Sequence, residues 1–147
     1  MIKIDYPPYQ PKIQVREDKE FIFDEVRKRW ILLTPEEWVR QNFLQFLIKV
    51  KGYPAALLAV EKEIRNGEMV NRFDIVVYDQ TMCPWLIVEC KEMNELLNEK
   101  VLLQALRYNV NLQVSYIIIT NGAYCYGFEC RNGQFSEIDA LPAFEAG

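Results

Sequence analysis

A chain of 147 residues is long enough to bury most of its unfolded surface in a single core. Half of its residues are apolar and 26% are charged, which excludes disordered, collagen-like and low-complexity classes. A net charge of −4 argues against a protein that coats polyanions in bulk, and the lack of any histidine excludes Ser-His-Asp and Cys-His catalysis and imidazole-based zinc sites.

No apolar run approaches the roughly 18 residues of a membrane span, and Met1-Ile2-Lys3-Ile4-Asp5 is unlike a signal peptide. The expected location is therefore cytoplasmic, away from any membrane. Pro7, Pro8 and Pro11 among tyrosines predict an extended, unpacked arm over residues 1–18, with one domain over 19–147. Two short strands follow, Glu20–Phe23 and Trp30–Leu33. The turn between them carries Arg27-Lys28-Arg29, read first as solvated charge and second as a phosphate contact. The basic side chains are concentrated early, with 10 basic and 8 acidic through Tyr53 against 7 and 13 beyond it.

Thr34, Pro35 and Glu37 form a capping box that starts a helix running to about Val50, before Gly52 and Pro54. Val39, Phe43, Phe46, Leu47 and Val50 share one stripe of it. Glu36 points into that stripe and Glu37 away from it, so Glu37 is expected to cap and Glu36 to face the sheet. Asn66-Gly67, Asn121-Gly122 and Asn132-Gly133 mark hairpin turns between strands at about 57–64, 70–78, 115–120 and 124–130. A strand from Trp85 to Lys91 precedes a second helix between Asn94 and Leu112. That helix is apolar nearly all round, as for one buried on several sides or used as an interface. The order predicts an α/β single domain with a mixed central β-sheet flanked by helices. Cys83, Cys90, Cys125 and Cys130 lack metal-site spacing and read as reduced packing residues.

The chemistry lies in Arg72-Phe-Asp-Ile-Val-Val-Tyr and Leu86-Ile-Val-Glu-Cys-Lys. Both runs are apolar enough for central strands, yet each carries charge. Glu89 and Lys91 project from one face, with Cys90 on the other. In a hairpin turning near residue 81 or 82, Asp74 falls opposite Val88 or Glu89, about 5 Å away at Cβ. Two carboxylates that close repel unless a proton or cation separates them, and Mg²⁺ or Mn²⁺ satisfies both. The competing reading is plain ion pairing, Glu89 with Lys91 and Asp74 with Arg72. On the second helix Gln104 and Tyr108 are i and i+4 neighbours beside Leu97, Val101 and Leu112. There they either serve a site rim or phosphate, or belong to the core.

Thr34-Pro-Glu-Glu-Trp-Val-Arg-Gln, Arg72-Phe-Asp-Ile, Val88-Glu-Cys-Lys, Gln104-Ala-Leu-Arg-Tyr and Ile119-Thr-Asn-Gly together resemble the PD-(D/E)xK nuclease superfamily. More narrowly, they resemble the N-terminal nuclease domain of type I restriction enzyme R (HsdR) subunits, over roughly residues 20 to 130. The resemblance implies a restriction-endonuclease-like fold and a divalent-metal-dependent endonuclease acting on DNA. Asp74 and Glu89 would match the metal carboxylates, with the backbone carbonyl of Cys90 and Glu36 as further ligands, and Lys91 the catalytic lysine. Gln104 and Tyr108 would match a Q-x-x-x-Y motif that positions DNA. The helicase motor that follows such a domain is absent from this sequence. Expected partners are therefore DNA, a separately encoded helicase or specificity subunit, and a second copy of the chain. The alternative is a catalytically silent nuclease-fold module that binds nucleic acid or protein. Cleavage of RNA in place of DNA is not distinguished by these residues.

Overall fold

The computed structural model describes residues 1–144, with Asn66 described by its backbone alone; residues 145–147 of the expected domain lie outside the described residues. Among the described residues, ten strands and two α-helices form a seven-stranded mixed sheet covered on both faces and a separate three-stranded sheet. The strands are β1 (Ile2–Lys3), β2 (Ile13–Arg16), β3 (Lys19–Asp24), β4 (Arg29–Leu32), β5 (Leu58–Asn66), β6 (Met69–Tyr78), β7 (Pro84–Cys90), β8 (Tyr116–Thr120), β9 (Tyr124–Arg131) and β10 (Gln134–Ile138). The helices are α1 (Pro35–Gln45) and α2 (Glu99–Tyr108).

The main sheet runs β1-β9-β8-β7-β6-β5, with β10 also on β9. β7 and β8 are parallel and joined through α2, as a crossover connection requires; the other pairs are antiparallel. β2, β3 and β4 form a separate three-stranded sheet. On one face, Val39, Phe43, Leu44 and Leu47 pack on Ile75, Val77, Leu86, Val88 and Ile118. On the other, Leu97, Ala105 and Leu106 pack on Phe73, Val76, Ile87, Ile117 and Ile119. The two-sided burial explains why these strands are unbroken aliphatic runs. The α/β fold class and its mixed, helix-flanked sheet are as the sequence predicts.

Thr34 caps α1, its hydroxyl accepting the Glu37 N–H at 3.0 Å. The helix then widens into a π-helical turn over Phe46–Val50, ending where expected. The Asn132-Gly133 turn has φ of 51° and 75° at its two central residues, as a type I′ hairpin requires.

The N-terminal segment is extended as expected but packed. Ile2 pairs with Cys125, both Ile2 and Ile4 are buried, and Tyr6 donates a hydrogen bond to the Gly122 carbonyl at 2.5 Å. The prolines do not prevent docking, and the apolar Ile2 and Ile4 supply the driving force. The second helix is shorter than its apolar pattern suggests. Asn98 caps it, accepting the Val101 N–H at 3.0 Å, and Leu96, Leu103 and Val110 remain exposed. Cys90 and Cys125 are core residues, whereas Cys83 is exposed and so is not the packing residue expected.

Candidate active site

The β6–β7 ladder pairs Ile75 with Val88 and Val77 with Leu86. Extending that register sets Asp74 opposite Glu89, one of the two expected positions. Cys90 closes the arrangement by donating its N–H to Asp74 Oδ2 at 2.8 Å. Its thiol lies in the core, where burial pushes its pKa well up. Lys91 Nζ is 3.9 Å from Glu89 Oε2, and both side chains are about one-third exposed. Arg72 is paired at 3.2 Å with Glu61, not with Asp74.

Glu89, Lys91, Glu95, Val101, Gln104, Ala105 and Tyr108 line a cleft of about 260 Å³ between β7 and α2. The structure thus brings Gln104 and Tyr108 to the same opening as Glu89 and Lys91. Tyr108 is 58% exposed, so its reading as a core residue fails. Burial raises the pKa of Glu89; Lys91 opposes this, while the Asp74 and Glu95 carboxylates add to it.

The roles expected of Glu36 and Glu37 are only half realised. Glu37 N–H takes the cap bond, but the Glu37 side chain is buried and faces inward rather than solvent. Its carboxylate accepts from Arg27 Nη2 at 3.0 Å, Arg40 Nη1 at 2.6 Å and Gln41 Nε2 at 3.0 Å. Glu36 is half-exposed and sits 3.5 Å from Arg40 Nη2. Even so, it belongs to the site electrostatically. Burial and the neighbouring Asp74 carboxylate raise its pKa, with Arg40 and Lys91 opposing.

Arg40 and Arg27 organise the region; Arg40 is not a candidate on sequence grounds, and Arg27 is weighed there only as solvated charge or a phosphate contact. Arg40 Nη2 holds Asp74 Oδ1 at 2.7 Å, and its Nη1 also meets Glu61 at 3.3 Å. Arg27 joins Asp24 at 2.6 Å, Glu37 and, at 3.5 Å, Glu61. The basic turn therefore turns its first arginine into the protein, against its reading as solvated charge. Burial disfavours the Arg40 charge, but Asp74 and Glu37 outweigh it and raise its pKa. Glu61 adopts φ 52°, and the ladder skips it, pairing Val60 with Ile75 and Lys62 with Phe73. Beside this point, Phe73 and Ile75 enter opposite cores. In an alternating strand Glu61 reads as an ordinary solvent-facing residue.

Asp24 gives the network a pH signature. Burial pushes its carboxyl up, but hydrogen bonds from the Arg27 backbone and side chain and from Gln41 win, leaving it below 3.8. Its contribution is therefore complete above pH 3.8 and lost as pH falls through the lower folded value. Asp24→Asn is expected to cost about 1–3 kcal/mol at pH 7. In urea unfolding the gap to wild type should close on acidification below that value; a gap constant with pH would contradict the assignment.

Among the described residues, no three His, Cys, Asp or Glu side chains form a ready-made metal cage. The donor chemistry nevertheless fits Mg²⁺, which binds through one or two carboxylates and retains several waters. Five carboxylates (Asp24, Glu36, Glu37, Glu61 and Asp74) meet the buried guanidinium groups of Arg27 and Arg40, with the exposed Arg72 also on Glu61, so the network holds more carboxylates than guanidinium groups.

A mixed multi-strand sheet flanked by two helices is the restriction-endonuclease-like fold class. Residues 35–142 match the family described as type I restriction enzyme R protein N terminus, and the chain belongs to that family. No curated protein matches it. No helix among the described residues is long and apolar enough to cross a membrane.

Proposed function

We infer that this domain is a divalent-metal-dependent nuclease that hydrolyses DNA phosphodiester bonds, working beside other subunits of a restriction system. The observation that carries the reading is the convergence of Asp74, Glu89 and Lys91 at one end of the β6–β7 hairpin, with Glu36 beside Asp74 and the Gln104–Tyr108 cleft adjoining. Asp74 and Glu89 would hold Mg²⁺ or Mn²⁺, with Glu36 and the Cys90 carbonyl as further oxygen donors. When bound, the ion would supply an activated water and stabilise charge on the phosphate. Lys91, partly exposed at the cleft mouth, would orient that water or donate to a phosphate oxygen. Gln104 and Tyr108, on the opposite wall, would position the DNA strand.

Supercoiled DNA incubated with the protein and Mg²⁺ or Mn²⁺ should be nicked and linearised, and a chelator should stop the reaction. No cleavage together with no Mn²⁺ uptake in calorimetry would overturn the reading in favour of the silent nuclease-fold module. Uptake without cleavage of any DNA form would overturn its catalytic half.

A further inference from the structure

The small sheet β2-β3-β4 lies outside residues 35–142, the segment matched by the family. Its two faces differ sharply. Ile22 and Asp24 of β3 are fully buried and point inward, with Glu20 in the same phase. The opposite face carries Lys19, Phe21 and Phe23 from β3. By register it also carries Gln14 and Arg16 from β2 and Trp30 from β4, since Gln14 pairs with Phe21, Arg16 with Lys19 and Phe23 with Trp30. Lys12 reaches the same face, its ammonium 5.7 Å from the Phe23 ring centroid.

Three properties set this face apart. Phe21, Phe23 and Trp30 are partly buried, each keeping some surface to solvent, and belong to neither hydrophobic core. Each lies under a cation: Lys12 covers Phe23, while the Arg16 guanidinium sits 5.6 Å from Phe21 and 5.8 Å from Trp30. The strand positions on this face hold Lys and Arg but no acidic residue, in a chain of net charge −4. Glu17 and Asp18 lie beyond it, in the β2–β3 turn.

Gln14 adds a further detail. Its Oε1 accepts from Arg16 Nε at 3.0 Å and Nη2 at 2.7 Å, which fixes the guanidinium over the rings. The remaining Arg16 N–H groups are left for an anion. Partly exposed rings spaced along a strand and capped by fixed cations suit a polyanion with exposed π-faces, whose bases stack on a guanidinium plane or on the ring surface left open. A duplex hides those faces. We propose that the Phe21–Phe23–Trp30 face with Lys12, Arg16 and Lys19 binds single-stranded DNA. This names a substrate form for the nuclease reading and in that sense rests on it. The placement suits such a role, because β4 runs directly into Thr34, the cap of the helix that carries Glu36.

The test is fluorescence anisotropy of a labelled oligothymidylate in EDTA, so that binding is read without turnover and independently of whether the protein cleaves. Wild type should bind in low salt and prefer the single strand to a duplex of equal length. Trp30→Ala should weaken binding roughly tenfold, the loss of one stacked base. Arg16→Gln should flatten the slope of log K against log salt by about 0.7, the loss of one phosphate contact to a single strand. Arg16 is a surface residue, so this variant keeps the test open if Trp30→Ala fails to fold. Overturning results would be no binding by wild type, tighter binding of the duplex, or binding that Arg16→Gln leaves unchanged in affinity and salt slope. Self-association at this face with no oligonucleotide binding would likewise overturn it, in favour of a protein contact.

Discussion

Arg40→Met should lower the melting temperature by on the order of 10 °C. Arg40 is 5% exposed and pairs with Glu37 at 2.6 Å and Asp74 at 2.7 Å. Methionine matches much of its bulk but leaves Asp74 without its cation and Glu37 with Arg27 alone inside the protein. Removing one partner of a buried pair costs about 3–5 kcal/mol. In a chain of this size each kcal/mol moves the midpoint by about 2–4 °C. Arg40→Lys should fall between, because an ammonium keeps the charge but lacks the planar fork that reaches Glu37 and Asp74 together. A calorimetric midpoint unchanged in Arg40→Met would show that the network contributes nothing net. The same logic governs Asp74→Ala, which removes a partner of buried Arg40 as well as a candidate metal ligand. Loss of cleavage in that variant must be read beside its stability.

Lys91→Ala separates chemistry from folding more cleanly. Lys91 is about one-third exposed, and its contact with Glu89 is long at 3.9 Å. Exposed pairs of this kind contribute little, so the midpoint should stay within about 2 °C of wild type. Removing a cation aimed at developing negative charge, or a group that handles a proton, typically costs at least about a hundredfold in rate. Metal-dependent cleavage should fall by that factor or more in single-turnover assays, while Mn²⁺ uptake persists. A variant that cuts at the wild-type rate would remove Lys91 from the mechanism.

The hairpin that carries Asp74, Glu89 and Lys91 was legible because strand alternation and a turn near residue 81 settle relative position from local sequence alone. The Gln104–Tyr108 wall followed from helical spacing. What escaped was whatever depended on partners distant in sequence. The helical stripe of α1 places Glu37 outward only if hydrophobic residues decide which way a helix faces. Here Arg27, ten residues earlier, and Arg40 draw the carboxylate inward, and ion pairing overrides the pattern. The competing reading paired Asp74 with its sequence neighbour Arg72, but Asp74 is held by Arg40 from α1. Glu61 could not be recognised, because its left-handed backbone breaks the alternation by which a strand is read. At the N-terminus three prolines masked the Ile2–Lys3–Ile4 alternation, whose strand partner lies more than 120 residues away.

That short first strand has a consequence for solubility. β9 presents one long border, and two pieces of chain share it: Ile2–Lys3 beside Tyr124 and Cys125, and β10 beside Gly127–Arg131. If the first strand were displaced, the N–H and C=O groups it pairs on β9 would lie open along an apolar ribbon, a template for a strand from another molecule. Two residues thus cover a stretch of border to which a strand from another molecule could otherwise add, a task far larger than the surface they occupy.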